Sequence, residues 1–195
     1  MKNKIFNIIT LLSSVIFLNI IIEYTNIQID LTRDNLYSIS DETKDILNEL
    51  DDRIFIKVYL EGDFPAEFKY LQKSTYDFLK RIKEIQPSLI DFEFINPHEN
   101  LGEQTQLDLF KQLVSQGLTP TDIEIRKLES SVNQIVFPGA IMYYKERSIA
   151  INFLKNQILS NKPSENITSS IENLEFEFMS AILHLRKNNL DHIAF

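Results

Sequence analysis

The sequence predicts an α/β protein: an N-terminal transmembrane helix followed by a three-layer α/β sandwich with a mixed sheet. Three observations predict it. Ile5 to Ile22 is an uncharged run behind Lys2 and Lys4, short stretches alternate apolar and polar residues at strand period, and longer stretches between them repeat apolar residues at helical spacing. The expected division is an anchor over 1–25, an α/β domain over 26–190, and over 191–195 the first strand of a following domain that is cut off.

The 195 residues are 44% apolar and 25% charged, the composition of a folded protein. Cysteine is absent, which excludes disulfide scaffolds, cysteine-ligated zinc, thiol nucleophiles and paired-thiol redox chemistry. With 20 Lys and Arg against 28 Asp and Glu the net charge is −8, so nucleic acid is not an expected partner, because phosphate binding needs clustered cations. Only 4 glycines leave little from which to build a phosphate-cradling loop. No cofactor is expected.

The 18 residues of Ile5 to Ile22 span about 27 Å as a helix, close to the hydrocarbon thickness of a bilayer. A cleaved signal peptide is the rival reading. Its apolar core is usually about 7–15 residues and ends in small residues, whereas this run ends Ile20-Ile21-Ile22-Glu23-Tyr24. The two lysines are expected to stay cytoplasmic and send residue 25 onward across the membrane. Asn7, Thr10 and Ser14 share one helix face, which suits packing against another membrane helix or simply a mediocre lone anchor. Beyond residue 29 the chain carries 18 cations and 27 acids and is not expected to cling to anionic lipid.

Ser40 is placed to cap a helix through about Leu50, with Asp41 and Glu42 in its first turn. Arg53 to Leu60 alternates as a strand, with Ile54, Ile56, Val58 and Leu60 facing one way and Lys57 and Tyr59 the other. Gly62-Asp63-Phe64-Pro65 breaks it, and a long helix follows that buries Phe68, Leu71, Phe78, Leu79, Ile82 and Ile85 before Pro87. Leu89 to Ile95 is a second strand. Residues 103–116 read as a helix with Leu107, Phe110, Leu113 and Val114 inward and Gly117 as its C-terminal cap. Three strands follow over about 122–128, 132–144 and 147–153, the middle one interrupted at Pro138-Gly139, where a bulge or an edge is expected. One helix over about 165–187 presents Ile167, Ile171, Leu174, Phe178, Ile182 and Leu185 as a seam. Two βαβ-like steps followed by a hairpin resemble a thioredoxin-like arrangement.

The search for chemistry is nearly empty. The sequence holds no HExxH, Gly-x-Ser-x-Gly, Walker-type loop, GxGxxG or calcium loop. His98 reads as a solvated loop histidine and His184 as a surface residue, while His192 falls in the cut-off strand. Asp51-Asp52 and the acids Glu172, Glu175 and Glu177 read as solvated charged faces. Asn166-Ile167-Thr168 matches a glycosylation acceptor, short enough to arise by chance. Lys69, Lys73, Lys80 and Lys83, spaced 4, 7 and 3 along the long helix, form a basic stripe that could meet an acidic partner or simply face water. Phe64 and Pro65, on a glycine- and proline-bounded loop, are candidate contacts, although Phe64 can equally be pinned in the core.

Several separate blocks carry a resemblance. Lys57-Val58-Tyr59-Leu60-Glu61-Gly62-Asp63-Phe64-Pro65-Ala66, Phe94-Ile95-Asn96-Pro97, Lys111-Gln112-Leu113-Val114 and Gly117-Leu118-Thr119-Pro120-Thr121 are four of them. Phe137-Pro138-Gly139-Ala140, the stretch Asn152 to Gln157, and Ser170 to Phe178 complete the set. In this order they resemble the gliding-motility-associated ABC transporter auxiliary proteins, the GldG family, over roughly residues 28–195. The resemblance implies a noncatalytic, substrate-binding-like subunit held in the cytoplasmic (inner) membrane by a single N-terminal helix. Its main domain would lie in the periplasm, beside an ABC permease and an ATPase, in a Bacteroidota cell. It implies no catalytic residue and no metal. The alternative is a periplasmic ligand-binding domain for an envelope saccharide or peptide, with Tyr59, Phe64 and Tyr143 as an aromatic wall.

Overall fold

A computed structural model describes residues 38–99, 102–127, 130–154 and 163–187. The chain divides into two units, Met1–Ser38 and Ile39–Phe195, and every element below belongs to the second. The expected anchor over 5–22 and the expected strand over 191–195 lie outside the described residues. Among the described residues no helix is long and apolar enough to cross a membrane.

In chain order the elements are α1 (Asp41–Asn48), β1 (Ile54–Val58), α2 (Ala66–Ile85), β2 (Ile90–Phe94), α3 (Glu103–Ser115), β3 (Thr121–Lys127), β4 (Ser130–Val136), β5 (Gly139–Tyr144), β6 (Arg147–Asn152), α4 (Pro163–Glu172) and α5 (Leu174–Arg186). This is a mixed α/β domain with a mixed sheet. Four strands pair in the order β2-β1-β5-β6, with β1 parallel to β2, antiparallel to β5, and β5 antiparallel to β6. β3 and β4 form a separate antiparallel pair, in register from Thr121 opposite Val136 to Lys127 opposite Ser130.

Strand alternation sorts the side chains onto two faces. Ile54, Ile56 and Val58 of β1, with Ala140, Met142 and Tyr144 of β5, meet the buried residues of α1, α2, α4 and α5. Tyr59 and Ile141 point the other way and close with Leu113, Leu118 and Phe137 beneath α3. Ser40 caps α1 as expected: the Thr43 N–H donates to its Oγ at 3.2 Å. Gly117 ends α3 in a left-handed conformation (φ 99°), the Leu118 N–H reaching the Leu113 carbonyl and the Gly117 N–H that of Val114, both at 3.0 Å. Those two bonds are the Schellman pattern, and Leu118 packs in the same cluster as Leu113.

Three expectations need correction. The buried face of α3 is rotated from the expected one. Leu113 is fully buried and Leu109 and Phe110 are half-buried, while Leu107 and Val114 stand 47% and 50% exposed. The sheet takes the 109, 110, 113 stripe because the Gly117 cap and Leu118 fix the rotation of the last turn.

The middle strand over 132–144 is two strands in two sheets. Pro138 sits at the junction, with no N–H to donate, yet its carbonyl still accepts from the Phe153 N–H at 2.9 Å. A β carbon on Gly139 would lie 2.6 Å from the Ile151 carbonyl oxygen and 2.7 Å from Leu118 Cδ2, so the start of β5 has room only for glycine. The helix expected over 165–187 is α4 and α5, separated at Asn173, whose Nδ2 donates to the Ser169 carbonyl at 2.7 Å. The expected seam nonetheless faces the core: Ile167, Leu174, Phe178, Ile182 and Leu185 are buried, and Phe178 packs against Phe78 with ring centroids 5.4 Å apart.

Candidate docking surfaces

The loop after β1 turns back at Asp63-Phe64-Pro65, and Pro65 starts α2 without a side-chain cap. Phe64 is buried, its ring centroid 6.1 Å from that of Phe68. Pinning this aromatic fixes the loop, and the loop forms one wall of a cleft of about 830 Å³. The opposite wall is Thr121–Ile125 of β3, and Leu154, Asn166 and Ile167 close the end. Among the described residues Asp63, Glu67, Asp122 and Glu124 line it together with one cation, Lys69, whose Nζ sits 3.2 Å from Asp63. The expected contacts Phe64, Pro65 and Lys69 therefore come together here.

A smaller hollow of about 390 Å³ lies where α2 crosses the outer edge of β2. Tyr76 (48% exposed), Phe92 and Phe94 meet there with centroids 5.7, 5.9 and 6.2 Å apart. Glu61, Gln72 and Lys73 rim it, and Gln72 Nε2 donates to Glu61 Oε2 at 2.6 Å. Reading the sequence found Lys73 but missed the aromatic trio. Its signal was present in Phe92 and Phe94 alternating with Asp91 and Glu93, but the spacing could not show that Tyr76 comes to meet them.

Each of the four stripe lysines faces a carboxylate: Lys69 with Asp63, Lys73 with Asp77, Lys80 with Glu84 at 4.0 Å, and Lys83 with Asp91 at 2.7 Å. A continuous basic surface is thus replaced by exposed ion pairs. The aromatic wall of Tyr59, Phe64 and Tyr143 is also divided, for Phe64 belongs to the cluster on one side of the sheet and Tyr59 and Tyr143 to the cluster on the other. Strand period is the cause: Tyr59 is one residue out of phase with Val58 and Leu60. Burial, with the charges of Tyr143 and Glu93 adding to it, pushes the Tyr59 phenol up to about 12.

His98 is not simply solvated. Its Nδ1 pairs with Gln106 Nε2 at 2.8 Å and its Nε2 with the Ile135 carbonyl at 2.7 Å, while the ring meets Phe110 edge-on at 5.3 Å. These contacts tie the loop after β2 to α3 and β4. Asp51 accepts from the Tyr144 hydroxyl and, at 3.0 Å, from Lys145 Nζ. Those two bonds hold the Asp51 carboxyl below its ordinary range. Glu175 accepts from the Ser40 N–H at 3.0 Å and Oγ–H at 2.7 Å. Partial burial raises the Glu175 carboxyl, but the Thr43 and Ser40 hydrogen bonds and the Arg81 charge outweigh it, and the net displacement is downward. Each of these groups joins separate elements. Among the described residues no three His, Asp or Glu side chains are grouped to hold a metal ion.

Residues 33–143, more than half of the chain, match a family described as a domain of unknown function (DUF7088), and the chain belongs to that family. The match ends within β5, before β6, α4 and α5 complete the sheet and its larger core. No curated protein and no solved structure matches the chain.

Proposed function

We propose that this protein is a noncatalytic scaffold or coupling subunit of an ABC transporter complex linked to gliding motility. Residues 5–22 anchor it in the cytoplasmic (inner) membrane, and its α/β domain works in the periplasm beside the permease and the ATPase. The observation that carries this reading is the cleft of about 830 Å³ between the Asp63–Lys69 segment and β3, where the buried Phe64 pins the loop beside the strand. Support also comes from the ordered sequence blocks that resemble the GldG family and from the uncharged run of 18 residues. The strand order β2-β1-β5-β6, with the first pair parallel and the rest antiparallel, supports reading the domain as a thioredoxin-like three-layer sandwich with β3-β4 inserted. The test is affinity purification of the full chain in mild detergent, beside a version lacking residues 1–25, read by mass spectrometry. Recovery of a permease and an ATPase by the full chain supports the proposal; recovery of neither, from a folded and abundant bait, defeats it.

The aromatic hollow favours a second reading, a ligand-binding domain. Tyr76, Phe92 and Phe94 beside Glu61 and Gln72 offer faces and polar edges of the kind a sugar ring uses. A ligand at about 100 times its dissociation constant would stabilise the fold by about 2.7 kcal/mol, so a flat thermal-shift screen of envelope glycans removes this reading.

A further inference from the structure

We propose that the outward face of α5 pairs with the same face of a second copy of this chain, the two helices lying antiparallel across a two-fold axis. This pairing does not depend on the transporter role argued above and uses a different surface from the cleft beside β3.

α5 is apolar on two sides. Leu174, Phe178, Ala181, Ile182 and Leu185 are buried toward the domain. A surface helix ordinarily turns charged and polar residues outward. α5 instead presents Phe176, 67% exposed, and Leu183, 48% exposed, seven residues apart and so on one line along the helix. Half-buried Ser180 lies beside that line between them, and its small side chain lets another helix approach closely. The Asn173 N–H donates to the Ser169 carbonyl at 3.1 Å and the Glu177 N–H to the Asn173 carbonyl at 3.0 Å, so the helical pattern continues back into α4. The same line therefore runs on to exposed Glu172, four residues before Phe176, and to exposed Lys187, four residues after Leu183.

The order of these four residues selects the occupant. Glu172, Phe176, Leu183 and Lys187 are spaced symmetrically about a point between Met179 and Ser180. A second copy turned end for end about that point sets each Phe176 against the other's Leu183 and each Glu172 against the other's Lys187. Every contact is then made twice, as a two-fold interface requires. Parallel pairing would instead set Glu172 on Glu172 and Lys187 on Lys187, so charge complementarity fixes the antiparallel arrangement. Among the described residues no ion pair holds either of these two side chains. α3 also exposes two apolar residues seven apart, Leu107 and Val114, but the positions four residues beyond them are Glu103 and the buried Leu118, so no matching charges flank that face.

The chain has no cysteine, so one introduced thiol reports a contact without interference. In the full chain in mild detergent, Ser180→Cys lies near the axis, and a short thiol-to-thiol cross-linker should join two copies through it. Lys80→Cys, exposed on α2, should give no such product. At low ionic strength Glu172→Lys and Lys187→Glu should each weaken self-association at least about tenfold, because like charges then meet at both ends of the contact. Mixing these two variants should restore association, since a pair made of one of each again sets opposite charges at both ends. Phe176→Gln should weaken association while leaving the thermal melt unchanged, because the side chain is exposed in the single chain. No cross-link at Ser180→Cys, association indifferent to either charge reversal, or no recovery on mixing overturns the proposal. Self-association held by residues 1–25 instead shows as that indifference and counts against it. Cross-linking of Ser180→Cys in membranes to a different protein overturns it in favour of an unlike partner. Co-purification of a permease and an ATPase decides the transporter role separately, whichever way α5 behaves.

Discussion

Among the described residues, 28 buried side chains from four helices, the sheet and the base of the hairpin form a single cluster on one face of the four-stranded sheet, and five close beneath α3 on the other. The difference teaches where rigidity comes from. A side chain such as Phe178 is held by several elements at once, whereas Leu113 depends on one helix whose end is set by the Gly117 cap. The smaller face is therefore steadied by particular contacts, His98 to Gln106 and Ile135 among them, and the larger by collective burial. Phe64, Phe68, Ile123 and Ile125 belong to the larger cluster, so the cleft stands on the stiffer side of the molecule.

The largest break in this comparison is Phe178→Ala. Phe178 is fully buried against Phe78 and Phe153, with ring centroids 5.4 and 6.0 Å away. Losing it should cost about 3–5 kcal/mol in chemical denaturation of the full chain in detergent. Leu113→Ala on the opposite face should cost about 2–3 kcal/mol, near the low end for a buried leucine, because a small cluster under one helix can settle into the gap. Equal losses at the two sites would erase the proposed difference between the faces.

Glu175 sharpens the comparison through pH. Its carboxyl lies lower in the folded chain than the ordinary value of 4.5. Its contribution is therefore fully present above about pH 4.5 and is lost as pH falls through the lowered value. Glu175→Gln should reduce the melting temperature at neutral pH by a few degrees, and the gap from the native chain should close in acid. A gap that persists unchanged in strong acid would show that the carboxylate charge is not what joins α5 to α1.

The smallest effect belongs to the ion pairs. Lys80 and Glu84 are 4.0 Å apart with side chains 62% and 65% exposed, and Lys80→Ala should change stability by no more than about 0.5 kcal/mol. A larger loss would mean that the α2 stripe contributes more than solvated pairs do.

The sequence was most legible where one local rule sufficed. Ser40 announced the start of α1, Ile54-x-Ile56-x-Val58 announced a strand with a core side, and the six apolar positions of α2 fell where a 3.6 period puts them. It was least legible where two periodicities compete. Leu107 and Val114 lie at acceptable helical spacing from Phe110, yet the alternative stripe through Leu109 wins because Leu118 must reach the same cluster. The same limit applies to the candidate contacts. Phe64, Pro65 and Lys69 were found because they adjoin in sequence, but Asp122 and Glu124 arrive from more than fifty residues away. The alternation Asp122-Ile123-Glu124-Ile125 declared a half-buried strand without saying which loop it would lie beside.

By itself, then, the sequence determined the kinds of element and their order, the absence of thiol chemistry and the acidic balance, because these follow from local spacing and composition. Only the tertiary structure decided that residues 132–144 serve two sheets and that Tyr59 and Phe64 part company across one of them. It alone decided that every stripe lysine meets an acid and that β3 lines one cleft with Phe64. Strand pairing and cleft formation bring together residues distant in the chain, and short-range periodicity carries no record of those encounters.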